Sequence, residues 1–455
     1  MASADALHSP AQRGRTLSAL LRPFAEVRPA EAVTAALMTL TVFLLLTAYY
    51  LLKTAREPLV LLQGGAEVKQ YAAAGQALLL VGVVRAYTSL ARRVGRRTLL
   101  ASVYVFFISN LVLFAVLAHA GATIGVPFFL WVGVFNMTAV SQFWSFAADI
   151  YTPEQGKRLF AVLGIGSSVG AVAGARVAKS LAALGPAGLM ATAAVLLAVC
   201  VALFQWMCAR TTSLGPARSS ESHDEPLMEG SVTQLLLRDR YLLLIVGLTL
   251  ILNWVRSNGD YLVDRALLAA LAAGKAHGAD PSVFVTSFKA NYFEWVNITG
   301  LVLQAFAVSR IMARVGVRGA LLVLPVVAFF EYGAFLAAPV LSVLLATKVG
   351  ESALEYSVQN TARQALFLHA SRAEKYIGKT VTDTVVVRAG DALTALLVWA
   401  ASRANVSTRA FAVLNIALVA AWIVIVVAIG RLNARRAGES QLAVTADAAG
   451  AELAS

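Results

Sequence analysis

Lys348, Glu351, Glu355 and Gln359 fall at steps of three and four along Val340–Phe367, an apolar stretch with the length of a membrane-crossing helix. Arg363 follows on the same stretch. The chemistry open to such a stripe is ion binding. A buried ammonium or guanidinium holds an anion, and a buried carboxylate holds a cation or a proton. Each charge at mid-bilayer costs roughly 2.5–3.5 kcal/mol, so three of them facing lipid would cost about 8–10 kcal/mol. The stripe therefore faces protein or water, which is the pattern of a solute pathway.

Similar stripes recur. Tyr49, Lys53 and Arg56 succeed one another at helical spacing, with Glu57 beside them. Thr249, Asn253, Arg256, Asp260 and Asp264 share one face of a later stretch, and Thr138, Gln142, Ser145 and Asp149 share another. Lys379 precedes Asp383 by one helical turn, and Thr384, Arg388 and Asp391 come next. The competing reading is mutual neutralisation inside a structural network, or capping at the headgroups; it weighs most for Arg388, Asp391 and Glu331. Pro58 also allows the first helix to stop early, which would leave Lys53 and Arg56 at the outer interface.

The elements that must position these groups are membrane helices. The 455 residues are 59% hydrophobic and 14% charged, with mean hydropathy +0.72, which excludes the soluble globular class. Apolar runs near the ~20 residues needed to cross a bilayer fall at 32–62, 70–90, 99–117, 126–148, 159–181 and 188–208. A second set falls at 241–262, 283–309, 320–337, 340–367, 376–400 and 411–430. The expected fold is an all-α membrane protein of twelve transmembrane helices in two six-helix pseudo-repeats. Its parts are a cytoplasmic N-terminal segment (1–30), a bundle (31–208), a polar linker (209–238), a second bundle (239–432) and a cytoplasmic tail (433–455). Arg92, Arg93, Arg96 and Arg97, then Lys157 and Arg158, then Arg310, Arg314 and Arg318 lie on one side, whereas 119–125 and 182–187 have no Lys or Arg. Both termini are thus expected in the cytoplasm, with the chain in the plasma (inner) membrane. The net charge of +13 then reflects topology rather than nucleic-acid binding.

Gly166, Gly170 and Gly174 recur every four residues and predict a close helix-packing seam. Cys200 and Cys208 have no zinc spacing and read as small buried residues. Gly378-Lys379-Thr380 ends like a phosphate-cradling loop but lacks the first glycine and the strand–loop–helix setting. The five histidines are scattered. No enzyme chemistry, metal or cofactor is implied, and the sequence leaves the oligomeric state open, a monomer being compatible with it.

Arg93-Val94-Gly95-Arg96-Arg97 after the second span recurs as Arg314-Val315-Gly316-Val317-Arg318 after the eighth. A parallel repeat of six-helix halves is the arrangement of major facilitator transporters, whose first, fourth, seventh and tenth helices line a cavity between the halves. All four of the matching spans are striped here. At the charged spans the chain resembles the ATP/ADP carriers of plastids and intracellular bacteria. Arg56-Glu57-Pro58-Leu59 is similar to that family's Lys-Asp-Thr-Leu. Phe143-Trp144-Ser145-Phe146-Ala147-Ala148-Asp149, with Lys157-Arg158, is similar to its Phe-Trp-Gly-Phe-Ala-Asn and succeeding Lys-Arg. Glu355-Tyr356-Ser357-Val358 through Arg363-Gln364 resembles Lys-Tyr-Ser-Leu through Lys-Glu, and Gly378-Lys379 with Asp383 resembles a Gly-Lys and its Asp. Glu355 stands where the family has Lys, Gln364 where it has Glu, and Asn360-Thr361 where it has Asp-Pro.

The resemblance implies exchange of ATP and ADP or a related phosphorylated nucleotide by alternating access. Carried over, Arg56, Arg363 and Lys379 become candidate phosphate contacts, and the charged stripes add Lys53, Arg256 and Lys348, because guanidinium groups pair with phosphate in bidentate fashion and Lys supplies a point charge. The resemblance makes Asp149 a candidate gate, and the stripes add Asp260, Glu351, Glu355 and Asp383 as candidate gating or charge-balancing groups. Two alternatives stay open. One is a proton-coupled carrier of another anionic metabolite, with Asp149, Glu351 and Glu355 as proton sites; the other is a non-transporting scaffold on the same fold.

Overall fold

The computed structural model describes residues 28–91, 96–212, 239–276, 278–337, 340–367, 382–404 and 406–453. Among them every regular element is helical. Eight helical stretches are long and apolar enough to cross a membrane. Two of these, Glu31–Tyr87 and Pro281–Ala337, run for 57 residues each, far beyond what one crossing needs. Each breaks at a glycine.

Helix α1 (Pro29–Ala91) holds the first two predicted spans and breaks at Gly65, where φ is 79° and ψ is 177°. That backbone is closed to L side chains. Pro58 does not end the helix, so Lys53 and Arg56 stay within it. The loop expected after the eighth span is likewise reduced to one glycine. Helix α8 (Pro281–Val302) runs through a π segment, Leu303–Ala307, into α9 (Val308–Ala337), which breaks at Gly316 with φ 65°.

The remaining helices are α2 (Arg96–His119), α3 (Gly125–Phe135), α4 (Ser141–Ile150), α5 (Pro153–Ser180), α6 (Gly185–Thr212) and α7 (Arg240–Ala272). After α9 come α10 (Leu341–Leu354), α11 (Asn360–Ala365), α12 (Val387–Arg403) and α13 (Thr408–Leu453). The segment expected as a tail from 433 therefore continues as helix. Further π segments occupy Asn136–Val140, Glu355–Gln359 and Thr382–Val386. A π turn widens the helix and rotates the turns beyond it. Helix continues without interruption from Leu341 to Ala365 through the π segment, and Lys348, Glu351 and Gln359 of the expected stripe are all buried. Most of the predicted linker (213–238) lies outside the described residues.

Contacts group the chain into two units, Met1–Glu221 with Gly274–Asn297, and Ser222–Ala273 with Ile298–Ser455. Residues 274–297, which take in most of α8, group with the first unit rather than with the C-terminal bundle expected to hold them. In the first unit α1 packs against α3, α5 and α6, and α2 against α6. The predicted glycine seam is real. A Cβ on Gly170 would stand 2.4 Å from the Phe43 carbonyl oxygen, and one on Gly174 would stand 2.6 Å from that of Thr47. In the second unit α13 packs on α7 and α9, and α12 and α10 pack on α7. Gly390 plays the seam's part there, since its Cβ would meet the Trp254 amide nitrogen at 3.0 Å. Cys200 and Cys208 are free thiols, and Cys200 is buried.

Candidate functional site

Among the described residues, each unit contains a buried cluster of charged side chains. In the first, the Glu57 carboxylate is 1% exposed and is shared by three cations. Its Oε1 accepts from Arg56 Nε at 3.2 Å; its Oε2 lies 2.6 Å from Lys69 Nζ and 3.5 Å from Lys289 Nζ. Lys69 gets there through the break at Gly65. A straight helix would hold residues twelve apart about 18 Å from each other. Aromatic faces border these cations. Arg56 lies over the Phe129 ring at 4.5 Å, and Lys53 lies over Phe293 at 4.3 Å and Tyr50 at 5.0 Å. Tyr50 packs edge-on against Tyr49 and Phe293 and donates its hydroxyl to Asn297 Oδ1 at 2.9 Å. Toward the solvent, Arg176 Nη1 reaches Glu294 Oε1 at 2.8 Å, and Lys179 Nζ donates to Asn291 Oδ1 at 3.0 Å.

The second cluster is built on α7 and α10. Lys348 is 1% exposed; its ammonium bonds Glu351 Oε2, lies 3.4 Å from Asp260 Oδ1 and donates to the Arg256 backbone oxygen at 3.3 Å. Gly259 makes this approach possible, because a Cβ there would fall 2.8 Å from Lys348 Nζ and 2.5 Å from the Tyr332 hydroxyl. The Arg256 guanidinium faces Asp260 at 3.7 Å, Glu355 at 3.5 Å and Asp391 at 3.8 Å. Asp391 also accepts from Ser257 at 2.6 Å and pairs with Arg388 at 3.2 Å. Glu331 of α9 is 3% exposed, and its Oε2 is buried with no hydrogen-bond partner. Gln359, in the π segment, is 1% exposed with neither amide atom hydrogen-bonded.

Of the residues singled out from sequence, Lys53 and Arg56 lie at the first cluster, and Arg256, Asp260, Lys348, Glu351 and Glu355 form the second. Arg363 is half-buried on α11, past the π segment. Asp149 is exposed near the end of α4. Lys379 and the side chain of Asp383 lie outside the described residues. Sequence reasoning missed Lys69 and Lys289 and gave Glu57 no role. Their signal was present, since a charged residue within a membrane span is a site candidate by default. Among the described residues no cluster of three or more metal-binding side chains exists.

No protein-family model matches the chain, and a comparison with curated proteins gives no match. Solved structures do match, along nearly the whole length. A peptide transporter of the POT family in an auto-inhibited form is 12% identical, with TM-score 0.62, over 88% of this chain and 96% of its own. The nucleoside transporter NupG is 11% identical, with TM-score 0.58, over 87% and 98%. A bacterial homologue of the human lysosomal transporter Spinster, inward-facing and unoccupied, is 14% identical, with TM-score 0.55, over 90% and 98%. The chain therefore has the fold of the major facilitator type, all-α and membrane-spanning. At these identities the likeness speaks for fold alone.

Proposed function

We propose that the protein is a secondary transporter of a phosphorylated anion, ATP and ADP or a related nucleotide, exchanged across the membrane by alternating access. The observation that carries this reading is the sharing of the buried Glu57 carboxylate by Arg56, Lys69 and Lys289. Burying a charge is tolerable only when it is paired and hydrogen-bonded, so a site that keeps several cations in an apolar setting is tuned for an anion. Glu57 then acts as an internal stand-in for a substrate phosphate. When cargo arrives, its oxygens take the places of Oε1 and Oε2, with Arg56 as a fork-shaped donor and the two lysines as point charges. Tyr49, Tyr50 and Phe293 supply flat apolar faces at the same place, which suits a nucleobase better than inorganic phosphate alone. The neighbour named as a nucleoside transporter is in keeping with a base-bearing cargo.

Arg363 and Lys379 are further candidates for phosphate contact. Asp149, Asp260, Glu351, Glu355 and Asp383 are the charge-balancing groups of the proposal, in a plasma-membrane protein with both termini cytoplasmic and the helices in a six-plus-six arrangement. Radiolabelled ATP uptake into proteoliposomes loaded with ADP tests it. Saturable exchange is expected with internal ADP and little uptake without it; absence of saturable exchange removes the nucleotide. The carboxylate-rich second unit favours a second reading, a proton-coupled carrier of another anionic metabolite, whose uptake would track an imposed pH gradient in nucleotide-free vesicles.

A further inference from the structure

We infer that residues 281–297 of α8 form a releasable strap on the first unit, held by the Lys289–Glu57 pair and let go when an anion takes Lys289 from Glu57. The inference rests on the anion-binding reading of the Glu57 cluster. Thr286, Lys289, Ala290, Phe293, Glu294 and Asn297 fall at i, i+3, i+4, i+7, i+8 and i+11, one face of a helix, and all but Asn297 are buried. That face runs antiparallel along α1. Lys289 Nζ lies 3.5 Å from Glu57 Oε2, Phe293 takes the Lys53 ammonium on its ring at 4.3 Å, and Asn297 accepts from the Tyr50 hydroxyl at 2.9 Å. On the flank, Glu294 and Asn291 meet Arg176 and Lys179 of α5. These holds are ion pairs, hydrogen bonds and ring contacts. Such bonds exchange for others at small net cost, which interlocked aliphatic packing does not.

The strap ends where the chain changes unit, between Asn297 and Ile298. Gly300 already packs in the second unit, where its Cβ would lie 3.9 Å from the Ala353 carbonyl oxygen. The π segment Leu303–Ala307 follows, and π turns are places where helices bend. Of the three cations on Glu57, Arg56 and Lys69 sit on α1 with it, and Lys289 sits on the strap. An anion entering the cluster offers Lys289 an acceptor that is not anchored to α1. Lys289 then keeps a counter-charge while the strap moves, and no covalent bond changes. An empty cluster keeps the strap held, which ties its release to cargo and suits exchange over leak.

Spin labels at Ser180→Cys on α5 and Trp295→Cys on α8, both exposed positions outside these contacts, report the strap by pulsed electron resonance in lipid, with Cys200→Ser and Cys208→Ser. One narrow distance is expected without anion. Lys289→Gln (or Lys289→Met, should the first not accumulate as folded protein) is expected to add a longer one. Saturating inorganic pyrophosphate, its binding read as a raised unfolding temperature, should add the longer distance where Lys289 is present and change nothing further in the Lys289 variant. A distance unchanged in the Lys289 variant, or unchanged by bound pyrophosphate, overturns the strap. If neither pyrophosphate nor ADP raises the unfolding temperature, the anion-binding reading fails and release by anion falls with it, whereas a longer distance in Lys289→Gln still shows Lys289 holding α8.

Discussion

The two units solve the burial of charge in opposite senses. In the first, three cations share one carboxylate, Glu57. In the second, the carboxylates gather round the cations: Lys348 serves Glu351 and Asp260, while Arg256 serves Asp260, Glu355 and Asp391. The means of assembly differ as well. The first cluster depends on a backbone break, Gly65, to return Lys69 to Glu57; the second depends on a missing side chain, Gly259, to let Lys348 reach α7. One chain thus presents a cation-rich cluster and a carboxylate-rich cluster. Local charge balance, rather than the number of charged residues, tells them apart.

The most severe test of this contrast is Lys348→Met. Removing the cation leaves the buried Glu351 carboxylate without its Lys348 partner, and breaking a buried pair from one side costs about 3–5 kcal/mol. A large drop in thermal unfolding temperature of the purified protein is expected, and Lys348→Met with Glu351→Leu should recover most of it. A small loss in the single variant would show that the carboxylates in the second cluster do not depend on Lys348.

Next in size is Lys289→Gln in the first unit. Here a cation leaves a site that keeps Arg56 and Lys69 on Glu57, so folding should change little. The phosphate-binding role should suffer instead. Hydrogen bonds to charged groups contribute about 1.5–3 kcal/mol, equivalent to roughly 10–100-fold weaker nucleotide binding. Thermal stabilisation by added ATP and the KM for ADP-driven ATP uptake both read this. Unchanged binding with lowered stability would mean that Lys289 is structural.

Much of this arrangement is legible from sequence. The stripes at Arg256–Asp260 and Lys348–Glu351 lie at helical spacing within single helices, so periodicity alone brings each pair onto one face. The glycine seam is readable for the same reason. What cannot be read is whatever depends on chain reversal or on a break in the period. Lys69 meets Glu57 only because Gly65 adopts a positive φ, and Lys289 reaches Glu57 from a helix far along the chain. The π segment Glu355–Gln359 is also unreadable, since nothing in Glu-Tyr-Ser-Val-Gln announces a wide turn. Glu331 carries little signal of its own because its span shows no polar stripe.

A third test compares the seams. Gly170→Ala places a Cβ 2.4 Å from the Phe43 carbonyl oxygen, a rigid backbone atom, so α1 and α5 must separate. Overpacking of this kind costs about 1–3 kcal/mol. Gly164→Ala, six residues earlier on the same helix, meets nothing within 4 Å and should be neutral or slightly stabilising. Equal unfolding temperatures for the two variants would dissolve the seam as a constraint.

The smallest effect is expected at Arg176, and it bears on the first cluster. Two acid–base contacts tie the first half of α8 into its unit: Lys289 with Glu57, nearly buried on both sides, and Arg176 with Glu294, whose Arg is 69% exposed. Exposed pairs contribute only about 0–1 kcal/mol, because water screens them and long side chains lose freedom in forming them. Arg176→Gln should therefore leave unfolding temperature and nucleotide binding close to unmodified, and any stability change should shrink further at high salt. If Arg176→Gln instead weakened nucleotide binding as strongly as Lys289→Gln, the cargo would be engaging the solvent-facing end of the unit. Glu57 would then be an ordinary structural counter-ion, and the anion site would have to be sought around Arg176 and Lys179.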